Sequence, residues 1–256
     1  IGTGLDKTMM LQQKKSPLVV IFDLCGTLLN SKEVDHDAIN FTLKEFKCPP
    51  WHIMKNKKDK SLSMKENFPN FFGKNASSAY DMYINYLMQH INDIPFFSFA
   101  SEHLQILKYQ GIFTAVITNR DYAFIQALQH HDEFSKQIQP YIDTIVTADE
   151  AGTTKPSPCI IEFALHKLRI VPVERSRITF IGDAYADVQC ALNYGCEPIL
   201  LSAARTDITD DFLRQNKVIN QYRTHKEIIA SYSFSHVGIN KESVCIIQKL
   251  NNMYER

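Results

Sequence analysis

The chain has 256 residues, and its 28 lysine and arginine residues are balanced by 28 aspartate and glutamate residues. Sequence-independent binding to DNA, RNA or an anionic bilayer depends on clustered unpaired positive charge, so a net charge of zero argues against nucleic acid as a partner. With 45% hydrophobic residues, the composition is sufficient for one large core and excludes a chain that is disordered throughout.

Six cysteines occur without a Cys-x-x-Cys pair or zinc-ligand spacing: Cys25, Cys48, Cys159, Cys190, Cys196 and Cys245. They are typical of reduced thiols in an intracellular protein, and we expect a cytoplasmic location. No apolar stretch approaches the roughly eighteen residues of a membrane span, so no transmembrane segment is predicted. The N-terminus lacks the pattern of a signal peptide, and residues 1–15 are expected to be a tag or disordered.

Short apolar runs alternate with helical patterns along most of the chain. The runs cover 18–22, 112–117, 142–146, 178–181 and 198–201, and the helical patterns cover 101–110, 121–130, 157–168 and 184–194. This alternation predicts the α/β class, with right-handed crossovers and a parallel sheet. Because the carboxyl ends of parallel strands share one crevice, Asp23, Thr118 and Asp183 should converge there.

The alternation is interrupted between the first two runs. Helical patterns at 34–46 and 76–91 predict an all-helical domain at 31–95, inserted into a core formed by 16–30 and 96–234. After the fifth run we expect one more helix, a short strand near 218–219 and a helix at 225–232. Residues 235–256 are predicted to form a C-terminal helical extension.

Four segments carry the candidate chemistry: Phe22-Asp23-Leu24-Cys25-Gly26-Thr27-Leu28, Ile117-Thr118-Asn119, Thr154-Lys155-Pro156-Ser157-Pro158, and Ile181-Gly182-Asp183-Ala184-Tyr185-Ala186-Asp187. In order and spacing they resemble the signature of the haloacid dehalogenase-like superfamily, whose members are mostly magnesium-dependent phosphatases. The resemblance implies a Rossmannoid parallel-sheet core, with the helical insertion as a cap domain of type one.

The resemblance also implies roles for the acidic residues. Asp23 would attack phosphorus and form an aspartyl phosphate. Mg²⁺ would be held by the Asp23 carboxylate, the main-chain carbonyl of Cys25 and Asp183, with Asp187 behind them or bound through water.

The remaining motif residues would handle the phosphoryl group. Lys155 would pair with the nucleophile and the phosphoryl oxygens as a point charge. Thr118 and the backbone N–H of Asn119 would hold a phosphoryl oxygen. Gly26 and Thr27 would allow the backbone to approach closely at the turn.

Position 25 departs from the family pattern. Phosphatases of this family usually carry a second Asp two residues after the nucleophile, where it protonates the leaving alcohol, but this chain has Cys25. Loss of a general acid typically costs about 10² to 10⁴ in rate. A thiol, with an ordinary pKa near 8.5, is a poor substitute, and nearby carboxylates should disfavour its thiolate.

The sequence leaves three functions open. A phosphatase lacking the acid should favour leaving groups that depart unprotonated, as in aryl phosphates such as phosphotyrosine or in acyl phosphates, so the partner would be a phosphorylated small molecule or a phosphoprotein. A metal-independent 2-haloacid dehalogenase also lacks the second Asp, although the presence of Asp183 and Asp187 favours the phosphatase. The third activity is phosphate binding without turnover. The sequence does not indicate an oligomeric state.

The inserted segment is rich in aromatic residues: Phe68, Phe71, Phe72, Tyr80, Tyr83 and Tyr86. These rings could line a pocket for an aryl group, but packing inside the cap explains them more simply.

Overall fold

The computed structural model describes residues 17–59, 62–202, 208–218 and 220–232. The tag or disordered segment predicted at 1–15 and the extension predicted at 235–256 lie outside the described residues. Among the described residues, no helix is long and apolar enough to cross a membrane.

Six parallel strands form one sheet in the order β3-β2-β1-β4-β5-β6. The strands are β1 Val19–Phe22, β2 Phe113–Thr118, β3 Thr144–Thr147, β4 Ile178–Gly182, β5 Glu197–Leu201 and β6 Gln221–Tyr222. The central strand β1 is fully buried, as its unbroken apolar run predicts.

Eleven α-helices accompany the strands in the described part of the chain. They are α1 Lys32–Glu45, α2 Trp51–Met54, α3 Met64–Phe72, α4 Ala76–Gln89, α5 Ala100–Tyr109, α6 Tyr122–Leu128, α7 Ala148–Ala151, α8 Cys159–Lys167, α9 Tyr185–Tyr194, α10 Asp210–Gln215 and α11 His225–Ser231.

Helices cover both faces of the sheet. Alternate residues of β1 point in opposite directions: Val20 and Phe22 belong to a cluster with apolar residues of α5 and α11, whereas Val19 and Ile21 pack with those of α8 and α9. The period of two along the strand therefore divides the core into two layers. This arrangement confirms the predicted α/β class with a Rossmannoid parallel sheet.

The main differences from prediction lie after β5. A short strand was predicted near 218–219, of which residue 219 lies outside the described residues. The described strand lies at Gln221–Tyr222 and pairs in register with Leu200 and Leu201. Val218 is buried in a small apolar cluster with Leu213 of α10 and Leu200 of β5. A helix does follow at His225–Ser231, close to the predicted range.

The described part of the inserted segment contains α1 to α4 and no strand. Its aromatic rings pack on one another, with Phe68 stacked on Phe72 at 5.1 Å between ring centroids and edge-on to Tyr80 at 5.0 Å. Phe68, Tyr80 and Tyr83 are buried, which favours internal packing rather than an open pocket for an aryl group. Two main-chain bonds join the ends of the segment: Asn30 N donates to Pro95 O, and Phe97 N donates to Leu28 O.

Candidate active site

Three carboxylates meet at the carboxyl edge of the sheet. Asp23 follows β1 and Asp183 follows β4, and these neighbouring strands pair Phe22 with Ile181. One oxygen from each of Asp23, Asp183 and Asp187 lies within 4.8 Å of the others. The convergence expected from strand order is therefore present for Asp23 and Asp183.

A buried lysine lies among these acids. Lys155 is 3% exposed; its ammonium contacts Asp23 Oδ1 and lies 2.7 Å from Asp187 Oδ1. It also donates to the carbonyl of Ile117 at 3.1 Å. Burial acts to lower the pKa of Lys155, but Asp187 and Asp23 outweigh it and raise the pKa overall. The lysine is therefore firmly cationic and offsets part of the acidic charge.

Burial raises the pKa of Asp23 to about 6, with Lys155 opposing the rise and Asp187 adding to it. Asp187 is 2% exposed, and its Oδ2 accepts hydrogen bonds from the backbone N–H groups of Asp183 and Ala184. It thus holds the start of α9 and faces Lys155 with its other oxygen.

Two glycines allow the acidic loops to approach each other. Gly26 has φ +97°, and a Cβ there would lie 2.4 Å from the Asp183 carboxylate oxygens. A Cβ on Gly182 would lie 2.3 Å from the Cβ of Asp187. Next to Gly26, buried Thr27 donates from Oγ1 to Asp183 Oδ1 at 3.4 Å. The positions of the Asp183 and Asp187 side chains therefore depend on the absence of side chains at Gly26 and Gly182.

The second motif lies beside the lysine. Thr118 is buried, and its Oγ1 accepts the backbone N–H of Arg120 at 3.1 Å, which leaves its own proton available for a ligand. The Asn119 side chain clamps the main chain of Lys155, accepting from its N–H at 2.9 Å and donating to its carbonyl at 3.1 Å. This positioning contact of Asn119 was not anticipated from the sequence.

Cys25 lies in a setting that keeps its thiol protonated. Burial raises the pKa of the Cys25 thiol to about 11, against a lowering effect of Arg120. The sequence predicted this direction from the nearby carboxylates, whereas burial is the larger cause. The Nε–H of Arg120 donates to Cys25 Sγ at 3.4 Å.

Arg120 connects this loop to the inserted helices, a role that was not predicted from the sequence. Its guanidinium donates to Tyr83 OH at 2.9 Å and to Asp35 Oδ2 at 2.6 Å. The neighbouring Asp121 accepts from Tyr80 OH at 2.8 Å. Their position in the sequence could have indicated this role, because Arg120 and Asp121 directly follow the Thr118-Asn119 motif.

A pair of buried histidines lies next to the loop that follows Asp23. His225 Nε2 lies 2.8 Å from the Thr27 carbonyl, the two Nδ1 atoms of His225 and His103 are 3.0 Å apart, and His103 Nε2 is 2.7 Å from Tyr232 OH. Because a carbonyl only accepts, His225 carries its proton on Nε2, so His103 donates from Nδ1 and accepts from Tyr232. Burial lowers the pKa of both histidines, that of His225 to about 4.

The donor set at the edge of the sheet fits a hard divalent cation. Carboxylate and carbonyl oxygens are the ligands that Mg²⁺ prefers, and the site offers three clustered carboxylates, whose charge the buried Lys155 only partly balances. Because Gly26 has no Cβ, the Asp183 carboxylate can occupy the position that a Cβ there would need.

The chain is also similar to known proteins. The family model described as haloacid dehalogenase-like hydrolase matches residues 20–201. The chain belongs to the haloacid dehalogenase-like hydrolase family. The matched span includes all four motifs on which the resemblance rests.

Two curated relatives of this hydrolase are bacterial enzymes. It is 25% identical over 185 residues to the pyrophosphatase PpaX of Listeria welshimeri, covering 68% of this chain and 78% of the relative. It is 24% identical over 208 residues to a phosphoglycolate phosphatase of Mannheimia succiniciproducens, covering 71% and 84%.

Solved structures support the fold of the hydrolase. CbbY from Rhodobacter sphaeroides, crystallised in complex with phosphate, superposes with a TM-score of 0.66 at 18% identity. The match covers 83% of this chain and 96% of CbbY.

Proposed function

We propose that this hydrolase is a magnesium-dependent phosphatase that passes a phosphoryl group from its substrate to Asp23 and then to water. One observation carries the proposal: buried Lys155 lies between Asp23 and Asp187, with Asp183 in the same cluster. A carboxylate at a strand end, paired with a fixed cation, is suited to attack an anionic phosphoryl group.

The acidic cluster would hold the metal. Asp23, Asp183 and the main-chain carbonyl of Cys25 would hold Mg²⁺, with Asp187 behind them or bound through water, and the bound ion supplies positive charge that offsets the charge of the phosphoryl group.

The other motif residues would bind and orient the substrate. The Thr118 hydroxyl, whose oxygen accepts from Arg120 N–H, has its proton free to donate to a phosphoryl oxygen. The backbone N–H of Asn119 would donate to the same group, and Lys155 would pair with it as Asp23 reacts. Gly26 and Thr27 would let the backbone approach the phosphate.

The inserted helices would act as a cap over this site. The proposed cap covers 31–95 and the core covers 16–30 and 96–234. Support comes from the paired main chain at 28–30 and 95–97, which gives the segment a narrow double connection to the core. Closure of a cap excludes water from a phosphoryl-transfer site.

The substrate class follows from Cys25. Without a carboxylic acid there, leaving groups that depart as anions are favoured, such as the phenolate of phosphotyrosine or another aryl phosphate, or the carboxylate of an acyl phosphate. The pyrophosphatase among the relatives is consistent with this preference, because inorganic phosphate also departs as an anion. The substrate would be a phosphorylated small molecule or a phosphoprotein.

The mechanism is tested by comparing two aspartate substitutions. Asp23→Asn should abolish phosphate release from 4-nitrophenyl phosphate in Mg²⁺, and EDTA should abolish it in the parent protein. Asp132→Asn, at an exposed aspartate paired with Lys136, is the matched control and should keep full activity. Full turnover by Asp23→Asn, halide release from a 2-haloacid without metal, or phosphate binding without any turnover would each refute the proposal.

The leaving-group preference is tested at position 25. The parent protein should cleave aryl phosphates much faster than alkyl phosphates, and Cys25→Asp should raise alkyl-phosphate hydrolysis by about 10² or more. Equal parent rates on the two substrate classes would contradict the preference.

A further inference from the structure

The guanidinium of Arg120 lies beside the position where this family usually has its general acid. Arg120 follows Asn119 at the end of β2, and only 12% of its side chain is exposed. Its Nε–H points to Cys25 Sγ at 3.4 Å, while the two terminal nitrogens face the inserted helices. A permanent positive charge thus stands in contact with the residue that replaces the acid.

The hydrogen-bond acceptors around Arg120 differ in strength. Asp35 on α1 accepts from Nη2 at 2.6 Å, and it also accepts from Tyr83 OH at 2.5 Å and from Ser31 Oγ at 2.7 Å. The Nε–H is directed to a thiol sulfur, which is a weak acceptor. An anionic oxygen arriving beside Cys25 would offer this donor a much stronger partner, since charge-assisted bonds are about twice as strong as neutral ones.

We propose that Arg120 is a specificity-determining residue that stabilises an anionic leaving group as it departs from phosphorus. The inference rests on the proposed phosphatase function. It assigns the substrate class as phosphate esters and anhydrides whose leaving oxygen departs as an oxyanion: phenolate, carboxylate or phosphate.

The chemistry balances without a general acid. A carboxylate oxygen of Asp23 forms a bond to phosphorus, the bond from phosphorus to the leaving oxygen breaks, and its electron pair stays on that oxygen. The oxyanion is then neutralised by charge rather than by a proton. In the second half-reaction water attacks phosphorus, the bond to Asp23 breaks and restores the carboxylate, and the protons of water remain with the released phosphate.

A simpler role for Arg120 is to join the inserted helices to the core. The adjacent Asp121 provides such a contact, because it accepts from Tyr80 OH at 2.8 Å and from Lys65 Nζ at 3.3 Å. These contacts involve α4 and α3, whereas Arg120 additionally contacts Cys25. Asp121→Asn is therefore the matched control for a role limited to holding the two parts together.

The test measures kcat/KM for a series of substituted phenyl phosphates whose phenols differ in acidity. Arg120→Gln removes the charge and should lower kcat/KM by about 10² to 10³ for phenyl phosphate, the usual effect of losing one oxyanion donor, and by progressively less as the phenolate becomes less basic. Arg120→Lys should recover part of the loss. Asp121→Asn should change every substrate by one common factor.

A second variant covers the case in which Arg120→Gln does not fold. Asp35→Asn keeps Arg120 and removes its carboxylate partner, so the positive charge of Arg120 is no longer offset. Because the more basic leaving group depends more on that charge, the rate on phenyl phosphate should rise relative to that on 4-nitrophenyl phosphate. Uniform loss across the series in Arg120→Gln, or an unchanged ratio in Asp35→Asn, would overturn this inference while leaving the phosphatase proposal intact. An inactive parent protein would overturn both.

Discussion

Lys155 Nζ lies 2.7 Å from Asp187 Oδ1, and only 3% and 2% of the two side chains are exposed. The Lys167–Glu150 pair has the same 2.7 Å separation but leaves 33% and 35% of its side chains exposed. Removing one member of a buried pair leaves the other charge unpaired and poorly solvated, whereas water replaces the lost partner at the surface. The two lysines therefore form a matched comparison.

Replacing the buried lysine should destabilise the fold strongly. We expect Lys155→Met to lower the free energy of unfolding by about 3–5 kcal/mol, because Asp23 and Asp187 lose their common cation. Lys167→Met should cost about 1 kcal/mol or less. Urea denaturation followed by circular dichroism measures both, and equal losses would show that the buried pair has no special energetic role.

The turn after Asp23 should tolerate no side chain at position 26. Gly26→Ala combines a left-handed backbone at φ +97° with a Cβ that would lie 2.4 Å from Asp183. Gly111→Ala shares the positive φ, at +69°, but meets nothing within 4 Å, so it isolates the backbone cost of about 1–2 kcal/mol. Gly26→Ala should cost more than this control and reduce phosphatase activity at least about tenfold. Matching unfolding energies and full activity in both variants would contradict the expectation.

Magnesium should stabilise the folded protein through the acidic cluster. A ligand that binds only the folded state at one hundred times its Kd adds about 2.7 kcal/mol, so Mg²⁺ should raise Tm in the parent protein. Asp183→Asn removes one of the three clustered carboxylates and should lose most of this rise. Thermal denaturation at constant ionic strength measures the effect, and the same rise in both proteins would place the binding elsewhere.

The buried histidine pair should make stability fall at acidic pH. In the folded state burial lowers the pKa of His225 from 6.5 to about 4, so between these values the unfolded chain binds a proton that the folded chain excludes. The free energy of unfolding should therefore decrease as pH falls from 6.5 to 4, by up to about 3 kcal/mol from this residue.

His225→Gln tests the origin of that pH dependence. Its amide can still donate to the Thr27 carbonyl but does not titrate, so the slope of unfolding free energy against pH should become shallower between pH 6.5 and 4. His36→Gln, at an exposed histidine, should leave the slope unchanged. A slope that is the same in all three proteins would assign the acid sensitivity to other groups.

Much of the fold could be read from local patterns. Apolar runs closed by Asp23 and Asp183 predicted strands of a parallel sheet, because strands buried on both faces exclude polar residues until they end. Because the carboxyl ends of parallel strands lie at one edge of the sheet, the same pattern predicted that Asp23 and Asp183 lie close together. The strand after β5 was misplaced because β6 has only the two residues Gln221 and Tyr222, and its position depends on pairing with Leu200 and Leu201 rather than on hydropathy.

The sequence by itself determined the fold class, the four motifs and the substitution at Cys25, since these depend on residue type and spacing along the chain. Only the tertiary structure decided what surrounds Cys25: Arg120 comes from the end of β2, and its partners Asp35 and Tyr83 come from the inserted helices. It also joined His103 to His225 across 122 positions. No local pattern encodes such contacts, because they form between elements that are distant in sequence and packed together in space. The strength of each electrostatic interaction there depends on burial rather than on neighbours in sequence.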